Sequence, residues 1–522
     1  MPDAKEDTAE EIKMQQKSKK DKSPVDLVQE AMGSLGPWHI VIAVALSLVK
    51  FPVAWHQLSI VFLAPPIDFT CTYPKPANMS EALERKCEVD VGNGTIEKCT
   101  KFFYDRTIFK ETIITQWDLV CDREQLANFA QTCTMLGILV GNMIFSAMSD
   151  RVGRKIPLMI AILLQSVTGF LTIYSPWYEM FLTFKFISAL ATGGTMLISF
   201  VLLMEIVGPK WRSSLSVLFH VPFLLGFLLN PLVSYLTRTW TGFQMAVSIP
   251  PILLLSYYWI VPESPRWLLA VGRTSEAEVI LTKAAEKNRI SLSKVALAIE
   301  DHRNQAKIRT DNTKKFNVTH LFRSPNLCVK TLCICVNWFV CGMSFFGLAQ
   351  YIGQLDGNIF INTAVSAAVE LPGTLIVLFL ISRYSRLRIL IGGNIVSGAM
   401  LLITMFVQDP TIRVTLATIG IAGMSISFPT VYLYSSEVFP TVVRNVGIGA
   451  GSICARVASM LAPYIATMGN VQPWLPPLFF GIGPVIGAGL CFLLPETMNC
   501  ELPETIEDGE NFGKKMPRKS IA

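Results

Sequence analysis

This chain is poor in charge: of its 522 residues, 16% are Asp, Glu, Lys or Arg, while 51% are hydrophobic. A soluble protein of this length carries nearer a quarter of its residues as charges. The apolar residues are gathered into runs of about 20, each long enough to cross a hydrocarbon core about 30 Å thick, so they point to lipid exposure rather than to a large soluble core. Also missing are a Walker loop, a cluster of metal-ligating residues and a nucleophile–base set. Their absence argues against ATP-driven transport within the chain and against an enzyme. Histidine is scarce, at five residues; His56 and His220 are candidate proton carriers, but the favoured reading of both is a buried structural histidine. The formal charge of +6 follows membrane topology and is no sign of a nucleic-acid partner. Residues 1–37 hold no apolar signal-peptide core, so the first span is expected to act as its own insertion signal.

What is present repeats. Gly141-Asn142, Asp150-Arg151 and Gly153-Arg154 are echoed about 232 residues later by Gly373-Thr374, Ser382-Arg383 and Ser385-Arg386. Glu205 and Arg212 return as Glu437 and Arg444, and Pro262-Glu263-Ser264 returns as Pro495-Glu496-Thr497. A constant offset between charged landmarks beside hydrophobic runs is the trace of a duplicated six-helix membrane unit. The expected architecture is an all-α membrane protein of twelve transmembrane helices in two pseudo-symmetric six-helix bundles, the arrangement of a solute carrier.

Twelve apolar segments fit it: 38–64, 126–149, 156–174, 177–204, 215–236, 243–261, 327–352, 359–381, 388–408, 413–434, 446–468 and 474–494. The expected domains are a tail 1–37, a first bundle 38–261 with an insert at 65–125, a linker 262–326, a second bundle 327–494 and a tail 495–522. Lys and Arg mark alternate loops: Arg151, Arg154 and Lys155, then Lys210 and Arg212, then Arg383, Arg386 and Arg388. That bias places those loops, the linker and both termini in the cytoplasm. The linker reads as two helices, Ser275 to Arg289 and Ser293 to Arg309. The insert 65–125 then lies outside. Its Cys71, Cys87, Cys99 and Cys121 are an even set in an oxidising space, open to three disulfide pairings. Asn78-Met79-Ser80 and Asn93-Gly94-Thr95 are glycosylation sequons in the same insert. Cysteines inside the helices, such as Cys333, Cys335, Cys341 and Cys454, read as small apolar packers.

Asp150 to Lys155 forms a tight loop between the second and third segments, with Gly153 permitting the turn. Asp150, Arg151, Arg154, Glu205, Arg212, Glu263 and Arg266 in the first half, and Arg383, Arg386, Glu437 and Arg444 in the second, supply acidic and basic partners at the cytoplasmic helix ends. Exposed ion pairs are each worth about 0–1 kcal/mol, weak enough to break and reform in every cycle, which suits a gate.

The loop from Gly141 to Lys155 resembles the signature loop of the major facilitator superfamily. Within it, the chain resembles the organic cation/anion/carnitine transporter family. The resemblance rests on the long cysteine-bearing insert ending in Trp117-Asp118-Leu119-Val120-Cys121, on Pro262 to Trp267, on Asn337-Trp338-Phe339 with Gly347-Leu348, on Glu370-Leu371-Pro372, and on Tyr432 to Asn445. These motifs span the chain apart from its tails. Sugar porters share the Pro-Glu-Ser-Pro-Arg element but lack the long insert, and their Gln-rich seventh-helix signature is missing here. The resemblance implies the major facilitator fold, alternating access and a plasma-membrane location. It implies the lipid bilayer and a small organic ion as partners, and no cofactor beyond a coupling ion such as sodium or a proton.

A cation at mid-bilayer costs about 2.5–3.5 kcal/mol by insertion scales, so it faces a cavity or a partner. Arg456 lies mid-way along the eleventh segment, Lys50 is comparably deep in the first, and Glu370 sits two residues before Pro372 in the eighth. One expectation is a structural pair, Arg456–Glu370 or Lys50–Glu370. The other is that Arg456, with Lys50, attracts a substrate carboxylate. Lys185, nearer a segment end, is read as structural. By the resemblance, cation carriers have an acidic residue at the Arg456 position, and anion and carnitine carriers an arginine. Anion carriers add a basic residue where this chain has Thr374. Arg456 with Glu370 nearby fits a zwitterion such as a carnitine-like compound, or a monoanion. An organic cation carrier and a non-transporting receptor of the same fold are the alternatives. Trp338, Phe345, Phe346, Tyr432 and Tyr434 are expected to wall the site, where rings attract an ammonium group. The resemblance puts Phe345-Phe346, a tyrosine pair in most of the family, along the central cavity.

Overall fold

The computed structural model describes residues 27–74, 87–91, 95–308, 319–355, 357–498, 500, 503 and 505–513. Both sequon asparagines, Asn78 and Asn93, lie outside the described residues. Eleven helices among them are long and apolar enough to cross a membrane: Pro37–Leu58, Cys121–Val152, Lys155–Tyr174, Tyr178–Ile206, Ser214–Thr237, Trp240–Ile260, Pro325–Gln354, Ile359–Arg383, Arg386–Thr404, Pro410–Val438 and Arg444–Asn470. The twelfth, Leu475–Cys491, is apolar and 17 residues long. Each falls on one of the twelve segments read from the sequence, and they are numbered here as spans 1 to 12. Gly153 parts spans 2 and 3: its φ of 107° is a conformation that L side chains rarely adopt, so the chain reverses there.

The chain divides into two compact units. The first is drawn from Met1–Ala43, Leu202–Arg212 and Pro262–Thr313. Its helices include Leu27–Met32, Pro265–Ala270, Thr274–Asn288 and Leu292–Ile308, the last two within a residue or so of the linker helices expected. Pro265 at the first helical position and Ser264 as N-cap start the short helix that carries Arg266 and Trp267. Trp267, Leu268, Leu269 and Ala277 form its small core, with Val28 and Ile280 against it. Asn288 ties the unit together, donating to the Met32 carbonyl at 2.7 Å and accepting from the Trp38 N–H at 3.1 Å.

The second unit is drawn from Val44–Val201, Ser213–Val261 and Lys314–Ala522. It holds the main hydrophobic core, most of it from spans 7, 10 and 11. The insert after span 1 folds as two antiparallel pairs, Phe69–Tyr73 with Lys101–Tyr104 and Glu88–Asp90 with Ile96–Lys98. Of the three disulfide pairings, the structure forms Cys71–Cys99 and Cys87–Cys121. Cys121 opens span 2, so the second bridge anchors the insert to the bundle. Trp117 adds an aromatic anchor, packing on Tyr178, Phe181 and Trp240.

Candidate substrate site and gates

Two irregularities bring the buried cations together. Pro52 has no N–H to give the Leu48 carbonyl, and the first helix is interrupted at Val49, immediately before Lys50. Gly342 on span 7 lets span 11 approach so closely that a Cβ there would lie 2.4 Å from the Ala455 carbonyl oxygen. The next residue is Arg456. Ser459, one turn on, donates to the Gly342 carbonyl at 3.3 Å and fixes the same crossing.

Arg456 is 8% exposed. Its Nη2 donates to the Met196 thioether on span 4 at 3.7 Å, reaching from the second half to the first. Its guanidinium carbon is 5.8 Å from the Phe346 ring centroid, a cation–π distance. Its Nη1 is buried with no hydrogen-bond partner. The Tyr432 phenol lies within electrostatic reach. Lys50, 4% exposed, sits 4.8 Å from the Phe219 ring centroid and is near enough to Arg456 for the two like charges to interact. Phe345 and Phe346 meet edge to face at 5.2 Å, and Tyr432 packs at 4.1 Å on Trp338.

Neither expected ion pair forms. Glu370 is fully buried and both of its carboxyl oxygens lack a partner, so it joins neither Arg456 nor Lys50. Trp338 and Tyr434 are committed to packing. The Trp338 indole donates to Ser435 Oγ at 2.9 Å while its ring covers Gly451, and the Tyr434 hydroxyl donates to the Pro495 carbonyl at 2.7 Å. Tyr434 therefore serves the span 12 end and is not brought to Arg456.

Most of the charged helix-end residues are held by hydrogen bonds or ion pairs. Arg154 bonds Asp150 at 3.2 Å and donates to the Ser149 carbonyl at 2.6 Å, while Arg151 is exposed. In the first unit, Arg266 Nε donates to the Glu205 carbonyl at 2.8 Å, Arg212 Nε to the Val207 carbonyl at 3.1 Å, and Glu263 accepts from the Ser264 N–H at 2.8 Å. In the second half Arg386 pairs with Glu437 at 3.3 Å, and Thr497 Oγ1 donates to the same carboxylate at 2.6 Å. Ser385 donates to Glu496, Arg444 Nε to the Phe439 carbonyl at 3.3 Å, and the exposed Arg383 lies 5.2 Å from the Phe379 ring centroid.

Sequence reasoning missed a second group, at the end of the bundle that carries the disulfide insert. Asn470 donates to Glu124 at 2.7 Å, Asn128 to Thr467 at 2.9 Å, and Thr132 to the Met460 carbonyl at 3.0 Å. These three bonds join span 2 to the span 11 region across the two halves. Phe360 on span 8 adds ring contacts to Phe62, Phe109 and Tyr235 from the first half. The halves are thus closed on each other at this end. No periodic signal marks single Asn, Thr and Phe residues more than 100 positions apart.

A family model described as sugar (and other) transporter matches residues 94–508. The organic cation transporter protein of Drosophila melanogaster is 36% identical over 516 residues, spanning 93% of this chain and 94% of its own. Organic anion transporter 3 of Oryctolagus cuniculus is 30% identical over 515 residues, 93% of each chain. The proton:xylose symporter XylE, a major facilitator superfamily structure, matches with a TM-score of 0.64 at 16% identity, covering 91% of this chain and 98% of that one, a likeness of fold alone. The chain belongs to the major facilitator superfamily and, within it, to the organic cation and anion transporters of solute carrier family 22.

Proposed function

We propose that the chain carries small organic ions bearing a carboxylate, either carnitine-like zwitterions or monoanions, across the plasma membrane by alternating access. Arg456 is the anchor, Lys50 the second positive charge, and Phe345, Phe346 and Tyr432 the surrounding rings. The observation that carries this is the buried Arg456 guanidinium, with a thioether as its one described acceptor and Nη1 unpartnered. A buried cation without a counter-charge is costly, and a second cation beside it raises the cost. A substrate carboxylate supplies both the missing charge and the missing acceptors. In this reading both termini are cytoplasmic and the insert is a glycosylated outer loop. Within the second unit, the Asp150 and Glu437 groups with their arginines belong to the inner gate, and the Glu124–Asn470 seam forms the outer one.

The unpartnered Glu370 and the similarity to a protein named for organic cations favour a second reading, a cation carrier with Glu370 as its anchor. Uptake of a radiolabelled panel of cations, anions and zwitterions, with and without sodium and at two pH values, separates the two. Saturable uptake of carboxylates that falls on Arg456→Ala supports the first; uptake of cations that falls on Glu370→Gln supports the second. A receptor that does not transport shows neither despite surface expression.

A further inference from the structure

An α-helix leaves its first N–H groups without partners of its own. At the start of span 7, Pro325 has no N–H to satisfy, and the Ser324 side chain makes no capping bond. The next two N–H groups are capped from the far end of the chain. Those of Asn326 and Leu327 donate to the Glu510 carboxylate at 3.2 and 2.9 Å. The capping is mutual. Glu510 lies on the short helix Ile506–Asn511, whose end carbonyls need donors in turn. Lys330 on span 7, 6% exposed, donates to the Gly509 carbonyl at 2.9 Å and to the Phe512 carbonyl at 2.6 Å. Asn326 Nδ2 adds a bond to the Glu510 carbonyl at 3.2 Å. The same segment touches two more elements. The Thr441 N–H, between spans 10 and 11, donates to the Pro503 carbonyl at 3.2 Å. A Cβ at Gly509 would run into Pro440, and one at Gly513 into Pro495, just beyond span 12. Ile506 and Phe512 pack on the main core.

We propose that residues 505–513, with Pro503, are a strap that binds the start of span 7 to the ends of spans 10 and 12, so that these parts of the second half move as one body during transport. Glu510 and Lys330 are its clasp. Glu510 sets a negative charge at the positive end of a 30-residue helix, where charge-assisted bonds to free N–H groups are favourable. Releasing the strap would strip the buried Lys330 ammonium of two carbonyl acceptors, so the clasp resists opening. Pro440 lies three residues beyond Glu437, so the strap also steadies the backbone beside the Arg386–Glu437 pair. The movement rests on the alternating access of the proposed function; the fastening does not.

The test is amide hydrogen exchange of the purified full chain in detergent, read at single residues. First-turn amides of a helix ordinarily exchange fast, but those of Asn326 and Leu327 are expected to be protected. Lys330→Met and Glu510→Ala are each expected to speed exchange across 505–513 about tenfold or more, the scale of one hydrogen bond to a charged group. Glu507→Gln alters an exposed side chain on the same helix, outside the clasp, and is expected to change nothing. In uptake, both clasp variants are expected to lower kcat at least about threefold at unchanged KM. Exchange in the unmutated chain needs neither a variant nor a substrate, so it decides the fastening even where the proposed function fails. Fast exchange at Asn326 and Leu327 there overturns the strap. Variants with a released strap and an unchanged kcat overturn its part in the transport cycle.

Discussion

Arg386 at the start of span 9 holds Glu437 at the end of span 10 at 3.3 Å, with side chains only 18% and 14% exposed. This pair lies between the surface and interior extremes. Breaking a fully buried pair costs about 3–5 kcal/mol, because a charge is left stranded. Arg386→Ala leaves Glu437 with Thr497 as a hydrogen-bond donor, and partial exposure lowers the expected loss to about 1–3 kcal/mol. Thermal unfolding in detergent reads it. Adding Glu437→Leu to the Arg386 variant is expected to recover part of the loss, and two independent, additive losses would show that the pair is not coupled.

Glu496, just beyond span 12, makes the acid side of stability testable. Burial works against its charge, but hydrogen bonds from Ser385 and the Thr497 and Met498 N–H groups outweigh that and hold its pKa below the ordinary 4.5. A depressed folded-state pKa contributes stability above the unfolded value and loses it as pH falls through the folded one. Apparent Tm is therefore expected to fall more steeply below about pH 4.5 in the unmutated protein than in Glu496→Gln. Parallel curves would remove Glu496 from the account.

The contact between Glu124 and Asn470 predicts a reversible lock. Cysteines at both positions, oxidised to a disulfide, hold the halves together at the insert end and are expected to cut uptake at least about tenfold, with recovery on reduction. Full uptake in the cross-linked protein would mean that these ends never part.

Glu370→Gln keeps shape and volume while removing the charge. Because Glu370 pairs with neither Arg456 nor Lys50, uptake of a carboxylated substrate is expected to change less than about twofold. A larger loss, measured as kcat/KM, would move the anchor to span 8.

The spans were legible because each is an apolar run of membrane length with Pro, Arg or Gly at its edges. Pro410 and Arg444 open spans 10 and 11, where the apolar pattern suggested starts only a few residues later. The linker helices showed through their polar periodicity. Cysteine pairing was not legible, because four cysteines close three ways and only strand register chooses among them. The isolation of Glu370 and the depth of Lys185 depend on helix rotation, which hydropathy does not report. The placing of Tyr434 was within reach: residues two apart on a helix point about 200° apart, so a Tyr432 that faces Arg456 turns Tyr434 away. The Asn128–Thr467 bond joins residues 339 apart and left no pattern to read.

The most direct test compares two trimethylammonium compounds that differ only in a carboxylate, taken up by cells carrying the unmutated chain or Arg456→Ala. Anchoring by Arg456 predicts saturable uptake of the carboxylated compound, reduced about a hundredfold by the substitution, and little uptake of its partner in either case. Equal uptake of the two compounds, or uptake indifferent to Arg456→Ala, would contradict it.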